Sequence, residues 1–174
     1  MFADVGMAAG ADDIRDARGM AMADFDNDGD VDIIVNNNPG DCGLEFVPPV
    51  LLQNNVGQSR RWLVMHLEGT KSNRDALGAE VRIYSGELQA MRHVHAGSGY
   101  ASQGDPRLYF GLGSKETIER ISVKWPSGEI QEFRDVAANQ ILFLTEGKNL
   151  AVAPYAVTGD LSVSQVTPEE LPAR

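Results

Sequence analysis

Asp24-Phe25-Asp26-Asn27-Asp28-Gly29-Asp30-Val31-Asp32 sets a carboxylate at every odd position of nine residues, around one glycine. Held together in one turn, these groups repel one another unless a hard cation with several oxygen ligands gathers them. Calcium is the expected ion. In a helix-loop-helix calcium site the twelfth loop position is a bidentate glutamate. Counted from Asp24, that position here is Val35. The flanks Gly19-Met20-Ala21-Met22-Ala23 and Val31-Asp32-Ile33-Ile34-Val35 read as short strands, so the loop is placed between two strands.

In that arrangement Asp24, Asp26 and Asp28 offer side-chain oxygens, Asp30 a backbone carbonyl, and Asp32 closes the shell from the start of the next strand. Gly29 permits the sharp reversal. The plainer alternative is an acidic surface turn with no ion, since Asp, Asn and Gly are ordinary turn residues. A turn needs one or two of them, and this segment supplies far more.

The 174 residues suffice for one good core, or one core and part of another. Charge divides the chain unevenly: residues 1–55 hold eleven acids and two bases, whereas the remainder holds fourteen acids and thirteen bases. The acidity belongs to the metal segment. A net charge of −10 argues against a phosphate backbone as partner, so nucleic acid is excluded. Cys42 is the sole cysteine, which rules out an intrachain disulfide and a thiolate zinc site; it reads as small apolar filler. No stretch approaches the ~20 apolar residues of a membrane span, and Met1-Phe2-Ala3-Asp4-Val5 lacks the pattern of an export signal. A calcium loop suits a compartment rich in that ion, so an extracellular or periplasmic location with an upstream export signal is expected.

Strands are expected almost throughout, with no helix of four turns. Ile121, Val123 and Trp125 alternate with Arg120, Ser122 and Lys124, the period of a half-buried strand. Further strands are expected at 50–54, 61–68, 79–85, 87–95, 107–111, 130–134 and 140–146, separated by turn signals such as Ser85-Gly86 and Pro126-Ser127-Gly128. Many short strands imply a sandwich or barrel. The division is residues 1–55 as a calcium-loop repeat, 56–150 as a β domain and 151–174 as a loose tail. A calcium hairpin flanked by Asn36-Asn37-Asn38 and Gln53-Asn54-Asn55 cannot bury much alone, so it needs neighbouring repeats or the sandwich itself.

Two resemblances carry these residues further. Arg18 to Ala23 followed by the acidic loop resembles the calcium repeats of integrin-type propellers, named FG-GAP or VCBS. Arg61-Trp62-Leu63, the block Gly69 to Ala79, the block Gly97 to Gly113 and Trp125-Pro126-Ser127-Gly128 are together similar to the ASPIC and UnbV domain. The resemblance covers roughly residues 1–147. It implies an all-β fold in which a β-sandwich-like C-terminal domain follows part of a β-propeller, in proteins that are mostly exported. Several repeats usually precede such a domain and this chain shows one, so missing upstream repeats are expected. One branch of the family accompanies enediyne biosynthesis, which holds open a natural-product tailoring enzyme as the alternative.

Outside the loop the candidates are weaker. Lys71 to Asp75 is expected mainly to fix a turn through Asn and Asp side chains, with Arg74 and Asp75 available for a ligand. Asp105 is expected to clamp its loop by pairing with Arg107 or Arg74, and these polar blocks would form a concavity if they met. Tyr100, between small residues, is a possible stacking platform, while Trp62 and Trp125 read as core or rim. His93 and His95 share a strand face but do not complete a transition-metal site, and His66 gives no cue of joining them. Ser98 lacks nucleophile-elbow spacing. The expected function is a calcium-stabilised extracellular binding or adhesion module with a protein or glycan partner.

Overall fold

The computed structural model describes residues 3–38, 47–97 and 99–152. Cys42, Ser98 and residues 153–174, which include most of the expected tail, lie outside them. The described chain is all-β, with one short helix, α1 (Gly6–Ala9), and a 3-10 turn at Gly57–Ser59.

Strands β1 (Asp16–Ala23), β2 (Asp32–Asn38) and β3 (Val50–Leu52) form an antiparallel meander, and the acidic loop joins β1 to β2. Ala23 pairs with Asp32, so the loop is closed at its base by the ladder itself. Two four-stranded sheets follow. One has the order β11 (Ala151–Val152), β10 (Gln140–Thr145), β4 (Arg61–Glu68), β7 (Leu108–Gly113), with β10 parallel to β4. The other is antiparallel, in the order β6 (Leu88–His93), β5 (Glu80–Ser85), β8 (Thr117–Lys124), β9 (Ile130–Ala137).

These two sheets make the sandwich. Leu63, Met65, Phe110, Leu112, Leu142 and Leu144 on one sheet pack with Val81, Ile83, Ile118, Ile121 and Val123 on the other in one continuous cluster. The alternation expected around Trp125 holds: Ile121, Val123 and Trp125 are buried, and the Trp125 Nε1–H donates to Gln131 Oε1 at 2.6 Å. In β4 the alternation breaks down, because Leu63, Val64 and Met65 are all buried. That continuous apolar run marks a central strand covered on both faces. Val64 and Ile141, with Trp62, Tyr109 and Phe143, form a second cluster on the outer face of the same sheet.

The meander is different in kind. In its three strands only Gly19, Asp32 and Asn37 are buried, so they build no apolar core of their own. It is held instead along the edge of β1, where Met20 N–H donates to Ser102 Oγ and Asp105 N–H to the Met22 carbonyl at 2.8 Å.

Candidate metal centre

The acidic loop divides its five aspartates into two jobs. Asp24, Asp26 and Asp28 each bring a carboxylate oxygen within 4.8 Å of the others, which is the kind of cluster that can hold a metal ion. Asp24 is fixed from within the loop, its two oxygens accepting the N–H groups of Asp28 and Gly29 at 3.0 and 3.1 Å. Asp28 accepts Asp30 N–H at 3.1 Å. Asp32, fully buried, accepts Phe25 N–H at 2.9 Å and Asn54 N–H at 2.8 Å. It ties both ends of the loop to Asn54, two residues past β3. Asp30 is buried against the turn that leads into β4, so close to Gly57 that a Cβ there would meet Asp30 Cβ at 2.5 Å.

The donor set fits a hard cation. Asp26 Oδ2 accepts Gln53 Nε2 at 2.6 Å, but Asp26 Oδ1 is buried without a hydrogen-bond partner. A buried carboxylate oxygen left so is costly. Burial pushes the Asp24 carboxyl up to about 6, with hydrogen bonds from Gly29 and Asp28 and the charge of Arg107 only partly opposing it. Asp28 is also pushed up, first by burial and then by the charges of Asp26 and Asp32. Oxygen donors alone, all of them carboxylate, suit calcium or magnesium rather than a soft metal.

Asp105, Arg107 and Tyr109 connect this loop to the sandwich. Asp105 Oδ2 accepts both Arg107 Nε–H and the Tyr109 hydroxyl. The Tyr109 oxygen in turn accepts Asp24 N–H at 3.3 Å, and Arg107 donates to the Asp24 carbonyl and to Asn27 Oδ1, each at 3.3 Å. Asp105 therefore pairs with Arg107, one of the two partners expected for it. Trp62 completes the junction by lying under Gly29. Aromatic residues beside the loop were not legible from sequence, because Trp62 and Tyr109 are far from it in the chain.

The two polar blocks meet only in part. Arg74 and Asp75 share one concavity with Gln103 and Pro106, while Asp105 and Arg107 line another cavity to which Gln103 and Pro106 also contribute. Arg74 is 86% exposed and reaches Glu68 only at 3.8 Å. No deep pocket gathers Arg74, Asp105 and Arg107 among the described residues. Tyr100 is exposed in its loop, and its carbonyl lies beside Gly19. His93 and His95 face one cavity with their rings 5.8 Å apart, whereas His66 stacks near Phe143.

The polar block from Thr70 has the structural role expected of it, but through a partner that sequence did not disclose. Glu146, 2% exposed, accepts the N–H groups of Thr70, Lys71 and Ser72 at 2.7–2.8 Å, together with the hydroxyls of Ser72 and Ser127. Burial acts against its charge, but these donors outweigh it and hold the carboxyl at about 2. Asn73 closes the same turn through both its amide groups on Leu77, as expected of it. Gly69 is required there, since a Cβ would fall 2.1 Å from the Asn73 carbonyl oxygen. A lone carboxylate between Thr145 and Gly147, just past the end of β10, offered no pattern to read.

Residues 69–151 match the model of the ASPIC and UnbV family. This segment is similar to the ASPIC and UnbV domain. Over 125 residues the chain is 34% identical to cartilage acidic protein 1 of Xenopus tropicalis and 31% identical to that of Homo sapiens, covering 71% of this chain. It spans 18% of the length of those relatives. The ASPIC and UnbV match takes in β5 to β10 and the Glu146 clamp, but the folded sandwich begins earlier. Strand β4, at residues 61–68, lies in the middle of its sheet between β10 and β7. The acidic loop also lies outside the ASPIC and UnbV match.

Proposed function

We propose that this chain is a calcium-stabilised binding module that acts outside the cell, in which the acidic loop is a propeller-type FG-GAP or VCBS repeat docked on the ASPIC and UnbV domain. The observation that carries this reading is the carboxylate cluster of Asp24, Asp26 and Asp28, wired to the sandwich through Tyr109 and Arg107. A cation there relieves the repulsion among the three acids and the cost of the buried, unpartnered Asp26 oxygen, so its binding free energy becomes ordering of the loop. Asp24 and Asp26 and Asp28 would hold the ion by their carboxylates. Calcium fits better than magnesium because flexible carboxylates suit its larger, less regular shell.

The meander's lack of an apolar core supports further propeller strands as its neighbours, and the small share of the relatives that the chain spans agrees with that. A protein or glycan is the partner class. Calorimetric titration of calcium into the metal-stripped chain, beside an Asp26→Ala, Asp28→Ala double variant, tests the reading. Saturable binding with a rise in Tm is expected for the unaltered chain alone. Equal responses from both chains, or none from either, would remove the structural ion from the account.

A further inference from the structure

A cavity of about 560 Å³ opens between the acidic loop and the sandwich, bounded by Gly29, Asp30 and Val31 on one side and by β4, β6 and β7 on the other. Its volume is that of a small-ligand pocket. We propose that it binds a small organic carboxylate, an anion whose apolar body lies against the cavity wall and whose charge is met by arginine at the rim.

Charge carries the first part of the argument. The chain has 25 acids and 15 lysines and arginines, yet the lining holds four arginines and two of the three histidines against two aspartates. Those two acids are already engaged. Asp105 is ion-paired with Arg107, and Asp30 is 7% exposed and packed against Gly57. Arg61 meets Glu116 at 3.1 Å in an exposed pair of little strength. Arg60 and Arg92 have no carboxylate within ion-pairing distance among the described residues. The Arg92 guanidinium donates to the Met91 carbonyl and stands 5.7 Å from the centre of the Phe110 ring. In so acidic a chain, two arginines without a carboxylate partner beside one concavity make a local field opposite in sign to the whole.

Shape and chemistry of the wall carry the second part. Trp62, Leu108, Phe110 and Pro106 line the cavity, so an inorganic anion would leave apolar surface wet. Planar guanidinium groups match a carboxylate through paired N–H donors. A polyanion such as nucleic acid meets the repulsion of a net charge of −10 outside the cavity. This proposal rests on the binding-module reading but not on the identity of the ion in the loop.

The test is an NMR titration of the isotopically labelled full chain with 1-naphthoate and with its uncharged isostere 1-naphthamide, each in calcium-loaded and in chelated buffer. Naphthoate is expected to shift the amides of 60–62, 92–95 and 108–111 saturably in at least one buffer, and to bind about tenfold more tightly than the amide. An Arg60→Gln, Arg92→Gln double variant, both sites being exposed, is expected to keep its Tm and to lose that preference. Equal affinity for the two probes, shifts unchanged by the double variant, or no saturable shift in either buffer would overturn the proposal. Calcium binding is read separately by calorimetry, so the two ideas fail independently.

Discussion

Gly29 lies against the indole of Trp62 so closely that a Cβ at position 29 would fall 1.9 Å from Cε2 and 2.2 Å from Cδ2. The residue also has a φ of +97°, which side-chain-bearing residues rarely adopt. One glycine thus serves the turn of the acidic loop and its docking on β4. Gly29→Ala should cost about 2–4 kcal/mol of loop ordering, from overpacking together with backbone strain. Amide exchange should rise across residues 16–38 and stay unchanged in β4 to β10. Uniform exchange in variant and parent would show that the contact does not hold the meander.

Asp26→Asn should separate the ion from the loop's own electrostatics. Without a cation, the change removes one of three clustered charges and should stabilise the chain by about 0.5–1 kcal/mol. With calcium present, it should abolish most of the rise in Tm seen for the parent. Thermal melts of both chains with and without calcium should therefore cross. Parallel behaviour in the two conditions would deny the cluster its role as the ion's ligand.

Tyr109→Phe leaves the ring on the outer face of the sheet but deletes the oxygen that joins Asp105 to the Asp24 N–H. The loss should be about 1–2 kcal/mol, because two buried partners are left short of a hydrogen bond. Calcium affinity should weaken several-fold while the sandwich keeps its own unfolding transition. Affinity equal to the parent's would mean that the loop is organised without help from the sandwich.

Glu146 supplies a pH dependence distant from the metal loop. Its carboxyl is lowered from the usual 4.5 to about 2, so the native state favours the charged form. The stabilisation is fully present above pH 4.5 and is lost as pH falls through about 2. Glu146→Gln places an amide among backbone donors and should cost about 3 kcal/mol at neutral pH. Urea melts from pH 6 to pH 2 should show the parent's stability falling toward the variant's. A constant gap between them across that range would assign the cost to packing instead.

Strand positions were the most legible feature, because sandwich strands follow a two-residue alternation that depends only on local sequence. The expected strand 61–68 coincides with β4, and the expected 79–85, 87–95 and 140–146 lie within two residues of β5, β6 and β10. Strand β9 runs to Ala137, three residues past its expected end, and β11 at Ala151–Val152 occupies the start of the stretch assigned to the tail. Pairing with neighbouring strands decides such ends, and no local pattern encodes it.

By itself the sequence determined the all-β class and the place of the acidic loop between two strands. Both follow from interactions between residues a few positions apart: side-chain alternation, glycine's backbone freedom and the mutual repulsion of crowded carboxylates. Only the tertiary structure decided that Asp32 ties loop ends while Asp24, Asp26 and Asp28 cluster, and that Asp105 pairs with Arg107 rather than with Arg74. It alone set Trp62 and Tyr109 beside the loop and drew Thr70 to Ser72 around Glu146. The contacts of Trp62 with Gly29, Ser72 with Glu146 and Tyr109 with Asp24 join residues 33, 74 and 85 positions apart in the chain. They are fixed by which sheet faces must be buried together, and that is a property of the assembled sandwich.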